Sequence, residues 1–201
     1  MTFIVVTGQR DNLGDSLLRR PLIRAAQGSG PCHILVGPDS EDWDNLAVRP
    51  VDRVYTDRRK WMAALTKSSL SRRTSLILNA GEMLPDRRFT LARVALLPAI
   101  TLMKLRRGAL IQAGFGLRDP SAPAPQIVRL YSRMTDVMTW RDESSRWAVG
   151  RGTVAPDWAF AEGASIERIE ERHSAPETTP MLALSLRGDR PEPTEEWLAE
   201  V

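Results

Sequence analysis

Short apolar runs rich in β-branched residues recur along this chain, separated by longer stretches whose apolar residues return every three or four positions. Parallel strands read as near-continuous apolar runs because both their faces are buried, and they need a crossover of a dozen or more residues, usually a helix, between them. The alternation therefore predicts an α/β domain built on an open, mostly parallel sheet with helices on both faces. Strands are expected at Phe3–Thr7, Cys32–Val36, Asp52–Tyr55, Ser75–Asn79, Ala109–Ala113, Val137–Trp140, Thr153–Ala155 and Met181–Leu186. Helices are expected at Ser16–Gln27, Arg58–Leu70, Arg88–Arg106, Pro125–Met134 and Glu143–Val149.

The first crossover is the clearest, with Leu17, Leu18, Leu22, Ile23 and Ala26 at helical spacing behind Asp15, which reads as an N-cap. Units of this kind gather their loops at the carboxyl ends of the strands, where open sheets bind ligands. The search for chemistry belongs at that edge.

Composition narrows the field. Apolar residues make up 42% and charged residues 26%, enough to build a core and unlike a disordered chain. Lys and Arg number 28 against 25 Asp and Glu, and nearly all of the positive charge is Arg, whose planar fork suits carboxylates and phosphates. Basic pairs such as Arg19–Arg20, Arg72–Arg73 and Arg106–Arg107 are scattered instead of forming one stripe, so no nucleic-acid partner is expected. One cysteine, Cys32, and two histidines, His33 and His173, supply no metal cluster and no Cys/His nucleophile pair, and no cofactor is expected.

The N-terminus, Met-Thr-Phe-Ile-Val-Val-Thr-Gly, has no basic leader and reads as a strand, so a cytoplasmic protein is expected. Leu91 to Leu105 is broken by Arg93, Pro98 and Lys104, short of the roughly 20 apolar residues that span a bilayer. It reads as a buried or surface-attached helix, compatible with peripheral membrane contact.

Three parts are expected: a first domain at 1–161, a linker at 162–180, and at 181–201 the first strand and helix start of an incomplete second domain. The linker carries Glu167–His173 and Ser-Ala-Pro-Glu-Thr-Thr-Pro. After it, the run Met181–Leu186 leads into Thr194-Glu-Glu-Trp-Leu, a capped helix start. A strand without a following crossover is half a βαβ unit, which points to truncation; addition of this strand to the edge of the first sheet is the alternative.

Five glycine- or Asp-bearing segments fall at predicted strand ends. Gly8-Gln9-Arg10-Asp11-Asn12-Leu13-Gly14-Asp15 opens onto the first helix, an anion-site geometry that lacks the glycines of a dinucleotide fingerprint and the Gly-Lys pair of a Walker loop. Asn79-Ala80-Gly81-Glu82 and Gln112-Ala113-Gly114-Phe115-Gly116 are expected as loops after their strands. Trp140-Arg141-Asp142-Glu143-Ser144-Ser145 ends a strand with Arg and caps a helix with Asp, and Pro156-Asp157-Trp158-Ala159-Phe160 completes the set.

In this order and spacing the chain resembles the polysaccharide pyruvyl transferase family. Asp11 to Leu18 is similar to that family's Asn-x-Gly-Asp opening and Gln112 to Gly116 to its strand-end glycine motif. Thr139 to Ser145 is similar to its Arg-Asp-x-x-Ser element, Pro156 to Phe160 to its Pro-Asp-x-Ala-Phe segment, and Leu184-Ser185-Leu186-Arg187 to the strand opening its second half. Asn79-Ala80-Gly81-Glu82 departs from the glycine run of many relatives, and its acidic residue would repel an anion.

The resemblance implies two Rossmann-like halves, as in GT-B glycosyltransferases, of which this chain carries the acceptor-side half. It implies transfer of a pyruvyl group from phosphoenolpyruvate, as a ketal, to a sugar of a polysaccharide or lipid-linked precursor. The donor site would lie largely in the second half with its Arg residues and acid His, so this chain is expected to be inactive alone unless a separate C-terminal half completes it. Residues expected to line or shape the acceptor cleft are Asn12, Gly14, Asp15, Gly81, Gln112, Gly114, Arg141 and Asp142, with Arg187 as the one retained donor contact. Capping by Asp15 and Asp142 and loop bracing by Arg141 are the expected roles, and Asp15 or Glu82 is chemically able to act as base on a sugar hydroxyl. His33 and His173 are expected to be structural or solvated. Two rival readings are a half of a nucleotide-sugar glycosyltransferase and a non-catalytic remnant or binding module.

Overall fold

The computed structural model describes residues 1–7, 13–37, 46–78, 80–83, 87–119 and 126–162, and within them eight strands form one sheet in which every pairing is parallel. These residues belong to one unit, Met1–Gly163; a second unit, Ala164–Val201, lies outside the described residues, and with it most of the expected linker, His173, the strand Met181–Leu186 and Arg187.

In chain order the elements are β1 (Thr2–Val5), α1 (Leu13–Gln27), β2 (Cys32–Leu35), β3 (Arg53–Tyr55), α2 (Arg58–Ser71), β4 (Ser75–Leu78), β5 (Gly81–Met83), α3 (Arg87–Leu105), β6 (Ala109–Leu117), α4 (Gln126–Met134), β7 (Val137–Trp140), α5 (Glu143–Val149) and β8 (Thr153–Val154), followed by a 3-10 turn, Trp158–Glu162. The strand order is β3-β2-β1-β4-β6-β7-β8, with β5 beside the far end of β6. Counting β4 and β5 as one interrupted strand gives the Rossmann order with one strand added at the β7 edge.

Alternate residues of the central strands feed opposite cores, as the two-residue repeat of a strand requires. Phe3, Leu35, Leu76 and Leu78 pack with Trp61 and Leu65 of α2 and Leu96, Ile100 and Met103 of α3. Ile4, Val6, Ile34 and Ile77 pack with Leu22, Ile23 and Ala26 of α1. Each of the fully buried large side chains contributes about 1.5–3 kcal/mol relative to exposure. Strand order explains the division of helices. The step from β1 to β2 runs one way along the sheet and uses α1 on one face; the steps into β4, β6 and β7 run the other way and use α2, α3 and α4 on the opposite face, as crossovers of one hand require.

Local chemistry fixes the helix ends. Asp57 caps α2 by accepting from Arg59 N at 2.7 Å, and Trp61, Leu65, Ser68 and Ser69 form its buried stripe. Gly150, at φ 77°, closes α5 with its N–H on Arg146 O.

Three expectations at the carboxyl edge are corrected. First, α1 begins at Leu13, so Asp15 is its third residue and not its N-cap. Second, the segment expected as a loop at Asn79–Glu82 re-enters the sheet: Gly81–Met83 pairs with Phe115–Leu117 in the same register that β4 holds with Ala109–Gln112. Third, β6 does not stop at Ala113. It runs through Gly114 and Gly116 to Leu117, and its register against β7 shifts between Gln112 and Phe115, so that Ala113 and Gly114 oppose the single residue Thr139. That is a β-bulge, and Gly114 takes φ +69°, where a glycine costs nothing and an L side chain is strained.

Candidate functional site

The strand order reverses between β1 and β4, and a cleft of about 670 Å³ opens there at the carboxyl ends of both strands. Val5 and Thr7 border it from β1, Leu78 and Ala80 from β4, and the N-terminal halves of α2 and α3 wall it on one face. Such a reversal leaves neighbouring loops to part in opposite directions, which is why open α/β sheets bind ligands there. The volume is that of a small-molecule site.

Its walls are mostly apolar, with Leu35, Trp61, Leu96 and Phe115 contributing, and a few polar groups converge among them. Gln112, 3% exposed at the start of the β6 bulge, lines the cleft. Trp61 is held by Nε1 donating to His33 O at 3.2 Å.

Arg93 enters from α3, on the same stripe as Leu96, Ile100 and Met103. Its guanidinium lies 4.9 Å from the Phe89 ring centroid and 5.1 Å from that of Tyr131, and the Tyr131 hydroxyl donates to Arg93 O. Burial pushes the guanidinium down to about 10, the Tyr131 phenol acting against this and the charge of Arg58 adding to it, so Arg93 remains a cation at neutral pH. The same burial pushes Tyr131 up to about 12. Arg93 Nη1 is enclosed and has no hydrogen-bond partner among the described residues.

The rim beyond the cleft is built by ion pairs. Glu82 of β5, whose residue also lines the cleft, meets Arg118 at 2.8 Å and Arg141 at 3.3 Å. Its charge is therefore offset by two guanidiniums, which corrects the expectation that it would repel an anion. Asp142 caps α5: Oδ1 accepts from Ser145 N at 2.7 Å and Oδ2 from Ser145 Oγ at 2.8 Å. Ser145 Oγ in turn accepts from Leu117 N at 2.8 Å, tying the end of β6 to the start of α5. Gly116 makes this possible, since a Cβ there would lie 2.5 Å from Arg141 Nε and 2.8 Å from Asp142 Oδ2.

Of the residues expected from sequence, Gly81 and Gln112 line the cleft, and Arg141 reaches its border through Glu82. Gly114 and Asp142 shape the neighbouring backbone: Gly114 N donates to Thr139 Oγ1 at 2.9 Å within the bulge, and the Trp158 indole covers it. Gly14 and Asp15 lie in the first turn of α1. Asn12 and Arg187 fall outside the described residues. The sequence reading missed Arg93, Arg58 and Trp61. Arg93 carried a signal, a cation at a buried helical position inside an apolar run.

His33 is structural. Its ring stacks on Phe3 at 4.5 Å, Nδ1 shares a 2.8 Å hydrogen bond with Tyr55 Oη, and burial lowers its proton affinity, with the Arg53 charge adding to the effect. Cys32 is buried and its thiol is pushed up to about 11, chiefly by desolvation and then by the Asp52 charge, which makes it a poor nucleophile. Among the described residues no group of three or more His, Cys, Asp or Glu could hold a metal ion, and no helix is long and apolar enough to cross a membrane.

No protein-family model, no curated protein and no solved structure matches this chain.

Proposed function

We propose that this chain is a pyruvyl transferase-like protein whose Met1–Gly163 unit is the acceptor side. In the reaction, the central carbon of phosphoenolpyruvate gains bonds to two sugar oxygens, its methylene takes one hydroxyl proton to become methyl, and phosphate leaves with the other. The acceptor is a sugar of a polysaccharide or of a lipid-linked precursor.

One observation carries the reading. Segments far apart in the chain, Gly81–Glu82, Gln112–Gly116 and Arg141–Asp142, meet at one rim beside a small-molecule cleft at the switch point of the sheet. These are the segments whose order resembles the transferase family. Gln112 offers both a donor and an acceptor, the pairing that adjacent sugar hydroxyls need. The exposed stripe Leu91, Val94 and Leu105 of α3, with Arg106 and Arg107 beyond its end, suits peripheral contact with a membrane that carries a lipid-linked acceptor.

Saturation-transfer NMR with a panel of sugars and short-chain polyprenyl diphosphate sugars tests the acceptor side. Binding of one class, lost in Gln112→Leu, is expected, followed by phosphoenolpyruvate-dependent ketal formation on that sugar when a donor half is supplied. Competition by a free nucleoside diphosphate would favour a nucleotide-sugar glycosyltransferase instead. Failure of every sugar to bind would end both readings.

A further inference from the structure

We propose that the cleft is an oxyanion site in which Arg93 holds the phosphate or carboxylate group of a small organic ligand. This goes beyond pyruvyl transfer and does not rest on it, because it concerns what the cleft binds whatever group the protein moves.

Arg93 is a buried cation, one of its donors unanswered, at the wall of a built pocket. Ring faces attract a cation, as Phe89 and Tyr131 do here, but they do not replace directed hydrogen bonds, and an enclosed N–H without an acceptor is unfavourable. Arg93 Nη1 is such a group. Nη1 itself is closed to a water-sized group, so a ligand in the cleft would meet the guanidinium where Arg93 borders it, and the phosphate or carboxylate fork is the shape a guanidinium matches best.

The charge balance points the same way. Among the described residues, the charged ones lining the cleft are Arg58, Arg93 and Glu82. Glu82 is already paired with Arg118 and Arg141. Arg58 donates through Nη2 to Ala92 O at 2.9 Å, and neither it nor Arg93 meets a carboxylate among the described residues. These two like charges, close enough for one to depress the other, both border a partly desolvated space, where an anion gains most. The space is several times what a bare phosphate fills, and the apolar walls of Leu35, Trp61, Leu78 and Phe115 fit an organic remainder.

The test is calorimetric titration of inorganic phosphate, acetate and glucose 1-phosphate into the full chain and into Arg93→Met and Arg93→Lys, with thermal unfolding as the check on folding. Wild type should bind at least one oxyanion with a dissociation constant on the order of 1 mM, weakened roughly tenfold in Arg93→Met and partly restored in Arg93→Lys. Preference for phosphate over acetate assigns a phosphate ligand, and the reverse assigns a carboxylate. Absence of binding, or equal binding by a folded Arg93→Met, overturns the proposal. Should Arg93→Met fail to fold, the Arg93 side-chain NMR resonance in wild type decides: a shift on adding phosphate supports the site, and none overturns it. Phosphate and acetate carry no sugar and neither measurement needs turnover, so the site and the transfer reading fail separately.

Discussion

The indole of Trp158 lies so close to Gly114 that a methyl group on that α-carbon would sit 2.4 Å from Cδ1. The same indole donates through Nε1 to Ala113 O at 3.1 Å, so the 3-10 turn after β8 is pinned to the β6 bulge. Gly114→Ala should therefore cost twice, about 1–2 kcal/mol for a side chain at positive φ and a comparable amount for displacing the ring. Trp158→Leu should relieve the second cost and not the first. Urea unfolding of both single variants and the double variant gives the coupling, and additive losses would show that the two residues do not press on each other.

The cap at Asp142 yields a contrast between neighbours. Ser145→Ala strips the Leu117 N–H of its partner in a buried setting and should cost about 1–3 kcal/mol. Arg141→Gln breaks a half-exposed ion pair with Glu82 and should cost less than about 1 kcal/mol. Thermal unfolding ranks the two, and a reversed order would mean that Arg141 does more than brace the rim.

Much of the fold was legible because buried parallel strands and amphipathic crossovers write different periods into the sequence. Cys32–Leu35, Val137–Trp140 and Glu143–Val149 lie where their patterns predict. The carboxyl edge was harder to read. Gly81, Gly114 and Gly116 carry the same letters a loop would carry, yet here they permit a strand interruption, a bulge and a close approach of Arg141, and only the partner strands decide between these uses. The site was half legible for a related reason. Gln112 and Gly81 could be found at strand ends, whereas Arg93 owes its importance to Phe89 and Tyr131 around it, the latter on another helix.

Cys32 gives a direct probe of global opening. Its side chain is buried in the β1–β2 core, and a thiol pushed up to about 11 holds little thiolate at neutral pH. Ellman's reagent should modify it only as fast as the native state unfolds, with the full complement of one thiol appearing in denaturant. Rapid labelling of the native protein would show that β2 opens locally.

One acid-sensitive contact lies at the opposite edge of the sheet. Asp52 accepts from Cys32 N at 2.9 Å, Arg49 N at 2.9 Å and Gln27 Nε2 at 2.7 Å, and its carboxylate pairs with the Arg49 guanidinium. Burial alone would raise this carboxyl, but the hydrogen bonds from Arg49, Cys32 and Gln27 outweigh it and hold the group below its ordinary value of 3.8. A depressed folded-state value means that the unfolded chain takes up the proton first. The stabilisation is therefore complete above about pH 4 and disappears as the pH falls through the folded-state value. Asp52→Asn should be less stable than wild type at pH 7 by about 1–3 kcal/mol, since one acceptor oxygen becomes a donor facing donors. The gap should shrink below pH 4, where wild type also carries a protonated oxygen. Denaturant unfolding at a series of pH values measures it, and a gap that stays constant down to pH 3 would mean that the Asp52 charge does not hold the start of β2 to α1.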